Sequence, residues 1–119
     1  MNQSKNLGNQ GENLAVNLLK SKKYEILATN LVTPVGEIDI LARDGSIIVI
    51  VEVKTKSSAE YGLAAEMVTH KKQHKLTLLG KVMEQQFPNA QIRFDVVAID
   101  YEGSHAKVEH IQNAFDVNS

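Results

Sequence analysis

The chain has 119 residues, of which 43% are hydrophobic, and a formal net charge of −1. This length allows one packed core but not two ordinary domains, so we expect a single domain over residues 1–119. The sequence contains no cysteine, which excludes disulfides, thiolate zinc sites and cysteine nucleophiles and favours a reducing, cytoplasmic location. A near-neutral charge argues against a protein that coats nucleic acid through bulk positive charge. The chain starts with polar residues, and no apolar stretch long enough for a signal peptide or a membrane span follows them. No membrane partner is therefore expected.

The hydrophobic pattern predicts the element order αβββαββ. Helical spacing of Leu14, Ala15, Leu18 and Leu19 indicates a first helix. A second, longer helix follows a polar loop, with Thr69 as an internal cap where the segment can break. The expected helices are Gly8–Lys22 and Ala64–Gln86, and the expected strands are Tyr24–Thr33, Val35–Ala42, Ile47–Thr55, Ile92–Ile99 and Ala106–Ile111. A hairpin followed by a helix and a further strand implies an α/β fold with a mixed central sheet flanked by helices.

The third strand carries the first candidate site. It is almost uniformly apolar, as a strand covered on both faces is, yet it ends in Glu52, Val53 and Lys54. Burying an unpaired charge costs several kcal/mol, so Glu52 and Lys54 must be paired, metal-bound or exposed at the strand end. An ordinary ion pair at the rim of the sheet is the simplest interpretation of these two residues alone.

The hairpin between the second and third strands adds a further carboxylate. If Asp44 and Gly45 form a two-residue loop, Asp39 pairs with Ile50 and Glu37 pairs with Glu52. Glu37, Asp39, Glu52 and Lys54 then share one face of the sheet. Like charges this close destabilise a sheet, and a Mg²⁺ or Mn²⁺ ion bound by one or two carboxylates removes that penalty. A three-residue loop would flip one strand and separate these side chains.

Glu12 on the first helix is a third acidic element. On a helical wheel it falls between Val16 and Leu19, inside the apolar sector. A glutamate near a helix N-terminus is also favoured for capping or for its interaction with the helix dipole, and both interpretations stay open. Elsewhere, Arg93 and Asp95 share one face of a strand, which predicts a structural ion pair.

The spacing Asp39, twelve residues, Glu52, one residue, Lys54 resembles the PD-(D/E)xK nuclease motif. A longer run of matches, in order along nearly the whole chain, resembles the YraN-type family of uncharacterised bacterial proteins. These matches are Gly8, Gly11-Glu12, Ala15, Tyr24, Asn30, Gly36-Glu37-Ile38-Asp39, Ala42, Glu52-Val53-Lys54, Tyr61-Gly62, Lys71, Arg93-Phe94-Asp95-Val96-Val97 and Asn113-Ala114-Phe115. That family is similar to archaeal Holliday-junction resolvases, which implies a restriction-endonuclease-like fold. Two positions depart from the motif: Ile38 replaces its leading proline, and Lys56 stands where arginine is frequent.

The resemblance implies roles for the acidic and lysine residues. Asp39 and Glu52, helped by the Val53 carbonyl, would hold Mg²⁺ or Mn²⁺, and Lys54 would orient the attacking water and stabilise developing charge. Glu12 would hold a second metal or a bound water, and Glu37 would lie behind the ligands. The residues expected to bind nucleic acid are Lys56, Lys71, Lys72, Gln73 and Lys75.

A metal-dependent endonuclease that cuts DNA, including branched or flapped structures, is therefore the leading hypothesis. DNA is expected as a partner rather than RNA, and a homodimer is compatible with the resemblance. Two alternatives stay open. The chain could be a nucleic-acid-binding module with little activity, or an interaction domain in a DNA-processing complex whose acidic cluster is only structural. Lysine clusters on a surface are, in addition, more often plain solvated surface than binding sites.

Overall fold

The computed structural model describes residues 3–57 and 70–114, and of residues 3–9, 56–57 and 70–72 it describes the backbone alone. The elements follow the order α1, β1, β2, β3, α2, β4, β5, which confirms the predicted order αβββαββ. Their bounds are α1 Gln3–Ser21, β1 Glu25–Thr33, β2 Gly36–Asp44, β3 Ile47–Ser57, α2 His70–Gln86, β4 Gln91–Glu102 and β5 His105–Ile111. The predicted loop over residues 57–62 and the break at Thr69 fall almost wholly outside the described residues.

The five strands form one sheet in the order β1-β2-β3-β4-β5. Strands β1, β2 and β3 are antiparallel neighbours, β3 and β4 are parallel, and β5 returns antiparallel to β4. The parallel pair is possible because the connection through α2 carries the chain back to the starting edge of β3. The sheet is therefore mixed, as predicted.

One helix covers each face of the sheet. Alternate residues of β3 point to opposite faces, so Val49 and Val51 pack in a buried cluster with α1, whereas Ile48 and Ile50 pack in a second cluster with α2. Burial on both faces explains why β3 is a nearly continuous apolar run. Glu52 and Lys54 continue the alternation of Ile48 and Ile50, which places them on the α2 face.

Two glycines let the helices approach the sheet closely. A Cβ built on Gly11 of α1 would lie 2.5 Å from Cγ2 of Thr55, and one on Gly80 of α2 would lie 2.7 Å from Cζ of Phe94. Real Cβ atoms essentially never show contacts this short, so any larger residue at either position would force the facing side chain to shift. Gly11 fixes the first half of α1 against the end of β3, which brings the neighbouring Glu12 to the same end of the sheet.

The turn between β2 and β3 differs from the expected one by a single residue. Asp44 pairs with Ile47, so the loop is Gly45-Ser46 rather than Asp44-Gly45. Gly45 has φ +61, the conformation that a tight hairpin requires at its first central position. Asp44 stays in the strand, where its carboxylate accepts a hydrogen bond from Nη1 of Arg93 at 3.0 Å.

No helix among the residues that the structure describes has the length and apolar character needed to cross a membrane.

Candidate active site at the end of strand β3

The moved turn shifts the register of β2 and β3 by two residues and leaves the faces unchanged, since side chains alternate with a period of two. The observed pairs run from Asp44↔Ile47 to Ile40↔Val51. Ile50 pairs with Leu41, and Asp39 lies beyond the last of these pairs. The predicted pair of Asp39 with Ile50 was therefore wrong, and Asp39 meets β3 through its side chain instead.

Asp39 is bound directly to the third strand. Its Oδ2 accepts a hydrogen bond from the backbone amide of Val53 at 2.9 Å, in a half-buried position. The carboxylate therefore takes the place of a strand partner just beyond the last β2–β3 pair. Because Val53 lies between Glu52 and Lys54, this bond brings the three polar residues of the motif to one point of the sheet.

Glu52 and Lys54 form an ion pair on the α2 face. The Lys54 Nζ lies 3.3 Å from Oε1 of Glu52, and the Lys54 and Glu52 side chains are 23% and 10% exposed. Two residues apart on one strand share a face, so the pairing follows from the strand itself. A buried carboxylate needs a cation, and Lys54 supplies one in this arrangement. The pair fits the predicted rim ion pair, and it places an ammonium group beside Glu52.

Glu37 is not part of this group. It pairs with Val32 of β1, and its side chain is exposed. The predicted pairing of Glu37 with Glu52 was wrong because Asp44 remains in the strand and shifts the register. The observed contacts at this point of the sheet are those of Asp39 and Glu52.

Glu12 reaches the same end of the sheet from the α1 side. Its side chain is half-buried, and its Oε1 accepts a hydrogen bond from Nδ2 of Asn30 at 2.7 Å. Asn30 has φ 51, an uncommon backbone conformation for a residue other than glycine. Of the two interpretations left open for Glu12, capping of the helix is wrong, because α1 begins at Gln3, far before Glu12.

The lysines expected to contact nucleic acid are only partly described. Lys75 of α2 is exposed, and its Cε would lie 2.7 Å from a Cβ built on Gly36, so its side chain lies across the start of β2. Gln73 is half-buried, and its carbonyl oxygen accepts a hydrogen bond from the Thr77 hydroxyl at 2.8 Å. The side chains of Lys56, Lys71 and Lys72 lie outside the described residues, although their backbones belong to β3 and α2.

The donor set at this site suits a hard divalent cation. Within the described ranges, no three acidic or histidine side chains converge as a complete metal cage. Mg²⁺ does not require one, because it is commonly held by one or two carboxylates and keeps several waters. A carboxylate has about four acceptor positions, so the bond from Val53 does not prevent Asp39 from binding a cation. Asp39 and Glu52 could therefore hold such an ion together, and the contact of Val53 seen here is made by its amide.

A second polar cluster lies on the α1 face of the sheet and is centred on strand β4. Asp95 is 1% exposed, and its carboxylate accepts hydrogen bonds from Nε of Arg93 at 2.9 Å and from the amide of Asn113 at 3.0 Å. His110 donates from Nε2 to Asp95 at 2.7 Å, and its Nδ1 accepts from Nζ of Lys22 at 2.9 Å. The predicted Arg93–Asp95 ion pair is confirmed, and it is the centre of a larger network.

The pKa values in this cluster follow from burial and from these bonds. Burial alone would raise the pKa of Asp95, but the bonds from His110, Arg93 and the Asn113 amide outweigh it and hold the pKa below its usual value. Burial opposes the charge on Arg93 as well, yet the bonds to Asp95 and Asp44 raise its pKa. Burial and the charge of Asp95 raise the pKa of Tyr24, whose hydroxyl accepts hydrogen bonds from Arg93 and Gln112. These contacts favour the charged forms of Asp95 and Arg93.

Sequence reasoning assigned no role to several of these residues. Tyr24 and Asn30 entered only as matches to a family pattern, Lys22 was assigned to a solvated lysine cluster, and His110 was not singled out. Tyr24 and Asp95 lie 71 positions apart, so no local spacing connects them. The available signal was indirect: a charged pair in an apolar strand requires further partners.

The comparisons with known proteins add a family but no activity. The model of a family described as "Uncharacterised protein family UPF0102" matches residues 11–99. A UPF0102 protein of Geobacter metallireducens is 44% identical over 116 residues, which cover 96% of this chain and 95% of the relative. Another from Thermodesulfovibrio yellowstonii is 44% identical over 113 residues, covering 92% and 95%. One from Pelotomaculum thermopropionicum is 39% identical over 113 residues, covering 92% and 94%.

Proposed function

Because the chain belongs to the uncharacterised protein family UPF0102, whose name states no activity, we propose its function from the site alone. The proposal is a Mg²⁺- or Mn²⁺-dependent endonuclease that hydrolyses phosphodiester bonds in DNA. One observation carries it: the bond from the Val53 amide to Asp39 brings that carboxylate to the Glu52–Lys54 pair. The membership confirms the expected uncharacterised bacterial family, and the relation to nucleases remains part of the proposal.

The three side chains divide the work of phosphodiester hydrolysis between them. Asp39 and Glu52 would hold the cation, and that cation would lower the pKa of a bound water and offset charge on the phosphate. Lys54 donates hydrogen bonds to the attacking water and to the phosphoryl oxygens as negative charge grows on them. The water loses a proton as its oxygen adds to phosphorus, one P–O ester bond breaks, and the departing sugar oxygen takes up a proton from solvent. Glu12 would bind a further water or cation from the α1 side.

The fold supports the same proposal. A mixed sheet with one helix on each face, and a motif divided between a hairpin strand and the strand next to it, is compatible with a restriction-endonuclease-like fold. We include that fold in the proposal, together with a cytoplasmic location, DNA rather than RNA as substrate, and assembly as a homodimer. Lys75 is exposed on α2 and lies over the start of β2, and in this proposal it contacts a phosphate of the substrate strand.

A second candidate is a nucleic-acid-binding module with little activity. The observation in its favour is the Glu52–Lys54 ion pair, which compensates the charge of Glu52 without a metal. Such a module would bind DNA through its lysines and would be indifferent to the loss of Asp39. Cleavage and binding must therefore be measured on the same variants.

The test is a cleavage assay with a matched set of proteins. Purified wild type, Asp39→Ala and Glu109→Gln are incubated with linear, flapped and four-way-junction DNA, in Mn²⁺ and in EDTA. Glu109 is an exposed acid on β5 and serves as the control for loss of one carboxylate. Mn²⁺-dependent cutting by wild type and Glu109→Gln, and none by Asp39→Ala, supports the nuclease. Equal cutting by all three proteins points to a contaminant, and DNA binding without cutting supports the binding module.

A further inference from the structure

Asn30 occupies a strained position on the edge strand β1. Its φ of 51 lies in the left-handed region, which asparagine tolerates better than other residues with a side chain. From that position its amide donates a 2.7 Å hydrogen bond to Glu12, on a different element of the fold. A positive φ inside a strand is unfavourable, and here it accompanies a hydrogen bond from the side chain to another element. This combination points to a need for the Asn30 side chain at this position.

The register of β1 and β2 locates this pair relative to the candidate active site. Thr29 pairs with Ile40 and Leu31 pairs with Ile38, so Asn30 stands across from Asp39. Residues directly opposite on antiparallel strands have Cα atoms about 4.5–5.5 Å apart. Asn30, which donates the hydrogen bond to Glu12, therefore lies on the strand next to Asp39, whose carboxylate contacts Val53. Close packing of Gly11 on Thr55 holds the same turn of α1 in place.

We propose that Asn30 is a positioning residue that holds the Glu12 carboxylate at the end of the sheet where Asp39 lies. This inference rests on the proposed function and explains how one of its residues, Glu12, is held in position. An amide donor fixes one carboxylate oxygen and preserves the negative charge, so the other oxygen can accept a hydrogen bond from metal-bound water or bind a cation. Outer contacts of this kind orient ligands, and their loss commonly costs about 10- to 100-fold in metal affinity or activity.

Two substitutions separate the amide from the backbone conformation. Asn30→Gly keeps the positive φ at no steric cost and removes the donor. Asn30→Asp keeps the shape of the side chain and replaces the donor by a charge that repels Glu12. Asn113→Gly is the matched control, because Asn113 also has φ 51 and contacts Asp95 through its backbone amide. The control therefore reproduces the change from asparagine to glycine away from the site.

The measurements are the Mn²⁺ concentration that gives half of the maximal rise in melting temperature and the concentration that gives half-maximal cleavage. We expect both to rise by about tenfold or more in Asn30→Gly and Asn30→Asp, and to stay unchanged in Asn113→Gly. In a Glu12→Gln background, Asn30→Gly should have little further effect, because the two residues act as one unit.

The outcomes separate this inference from the function on which it rests. If wild type responds to Mn²⁺ and Asn30→Gly responds at the same concentration, the positioning role is wrong while the metal site stands. The role is also overturned if Asn30→Gly has its full effect in the Glu12→Gln background. A wild-type protein whose melting temperature and cleavage are both insensitive to Mn²⁺ overturns the proposed function and this inference with it.

Discussion

The ammonium group of Lys54 lies 3.3 Å from the carboxylate of Glu52, and both side chains are largely buried on the α2 face of the sheet. Asp39 approaches the residue between them from the neighbouring strand. A lysine paired with an acid in this way can serve as a structural counter-ion or as a catalytic donor. These roles differ in which property the protein loses when the ammonium group is removed.

Lys54→Met keeps the aliphatic length of the side chain and removes its charge. We expect cleavage to fall by about 100-fold or more, since a donor aimed at developing charge has an effect of this size. Mn²⁺ should still raise the melting temperature, because Asp39 and Glu52 remain. The measurements are single-turnover cleavage rates and thermal melts with and without Mn²⁺. Lys107→Met, an exposed lysine on β5, is the control. Cleavage at the wild-type rate in Lys54→Met would show that the ion pair is only structural.

The lysines of α2 provide a separate prediction about substrate binding. If Lys71, Lys72 and Lys75 bind phosphates, their replacement by alanine should weaken DNA binding and flatten its dependence on salt. The slope of log K against log salt should fall by about 0.9 for each phosphate of duplex DNA that the variant no longer neutralises. Fluorescence anisotropy across a series of salt concentrations measures both quantities.

The matched control for this patch removes three lysines from other surfaces. Lys20, Lys23 and Lys107 are exposed on α1, on the turn after it and on β5. Their triple alanine variant has the same change in net charge. If both triple variants lose affinity and slope equally, binding follows overall charge and the α2 patch has no special role.

Asp95 should matter for stability rather than for catalysis. Asp95→Asn leaves Arg93 without its buried carboxylate partner, and breaking a buried pair in this way costs about 3–5 kcal/mol of unfolding free energy. Urea unfolding at neutral pH measures the loss. Glu109→Gln, on the surface, should change the free energy by less than about 0.5 kcal/mol. A near-zero effect of Asp95→Asn would mean that the network contributes no net stability.

The lowered pKa of Asp95 also gives a pH dependence with a definite sign. Its folded-state pKa lies below the unfolded value, so the stabilisation is complete above the unfolded pKa and is lost as the pH falls. The loss should begin below about pH 4, where an unfolded aspartate takes up a proton. Unfolding free energies of wild type should therefore decrease below this pH more steeply than those of Asp95→Asn. Parallel slopes would place the acid sensitivity in other carboxylates.

The order of elements and the two-sided burial of β3 were predictable because they depend on local hydrophobic periods. The neighbourhood of Asp39, Glu52 and Lys54 was predictable for a related reason: an error of two residues in register preserves the face on which a side chain lies. The exact pairs were not, because Asp44 stays in the strand, where it contacts Arg93 at a distance of 49 positions along the chain.

The remaining features depend on contacts that leave no periodic pattern. The bond between Asn30 and Glu12 joins an edge strand to a helix, and the bond between Tyr24 and Asp95 joins residues 71 positions apart in the sequence. Each requires knowledge of how α1 sits on the sheet. Gly11 contributes to that placement by packing on Thr55. A single glycine in a helical sequence does not reveal which residue of the sheet it will pack against.

The central claim is that Asp39 and Glu52 are held side by side to receive a divalent cation, and a thermal melt tests it without assuming a substrate. Wild type and Asp39→Asn are compared in EDTA and in Mg²⁺; the asparagine oxygen can still accept the bond from Val53, so the fold is kept. With a dissociation constant on the order of 1 mM and about 10 mM Mg²⁺, binding contributes about 1.4 kcal/mol. The wild-type melting temperature should then rise by about 5 °C, whereas Asp39→Asn should match or exceed wild type in EDTA and gain little from Mg²⁺. No Mg²⁺-dependent shift in wild type, together with a clear loss of stability of Asp39→Asn in EDTA, would contradict the claim and make Asp39 a structural hydrogen-bonding residue.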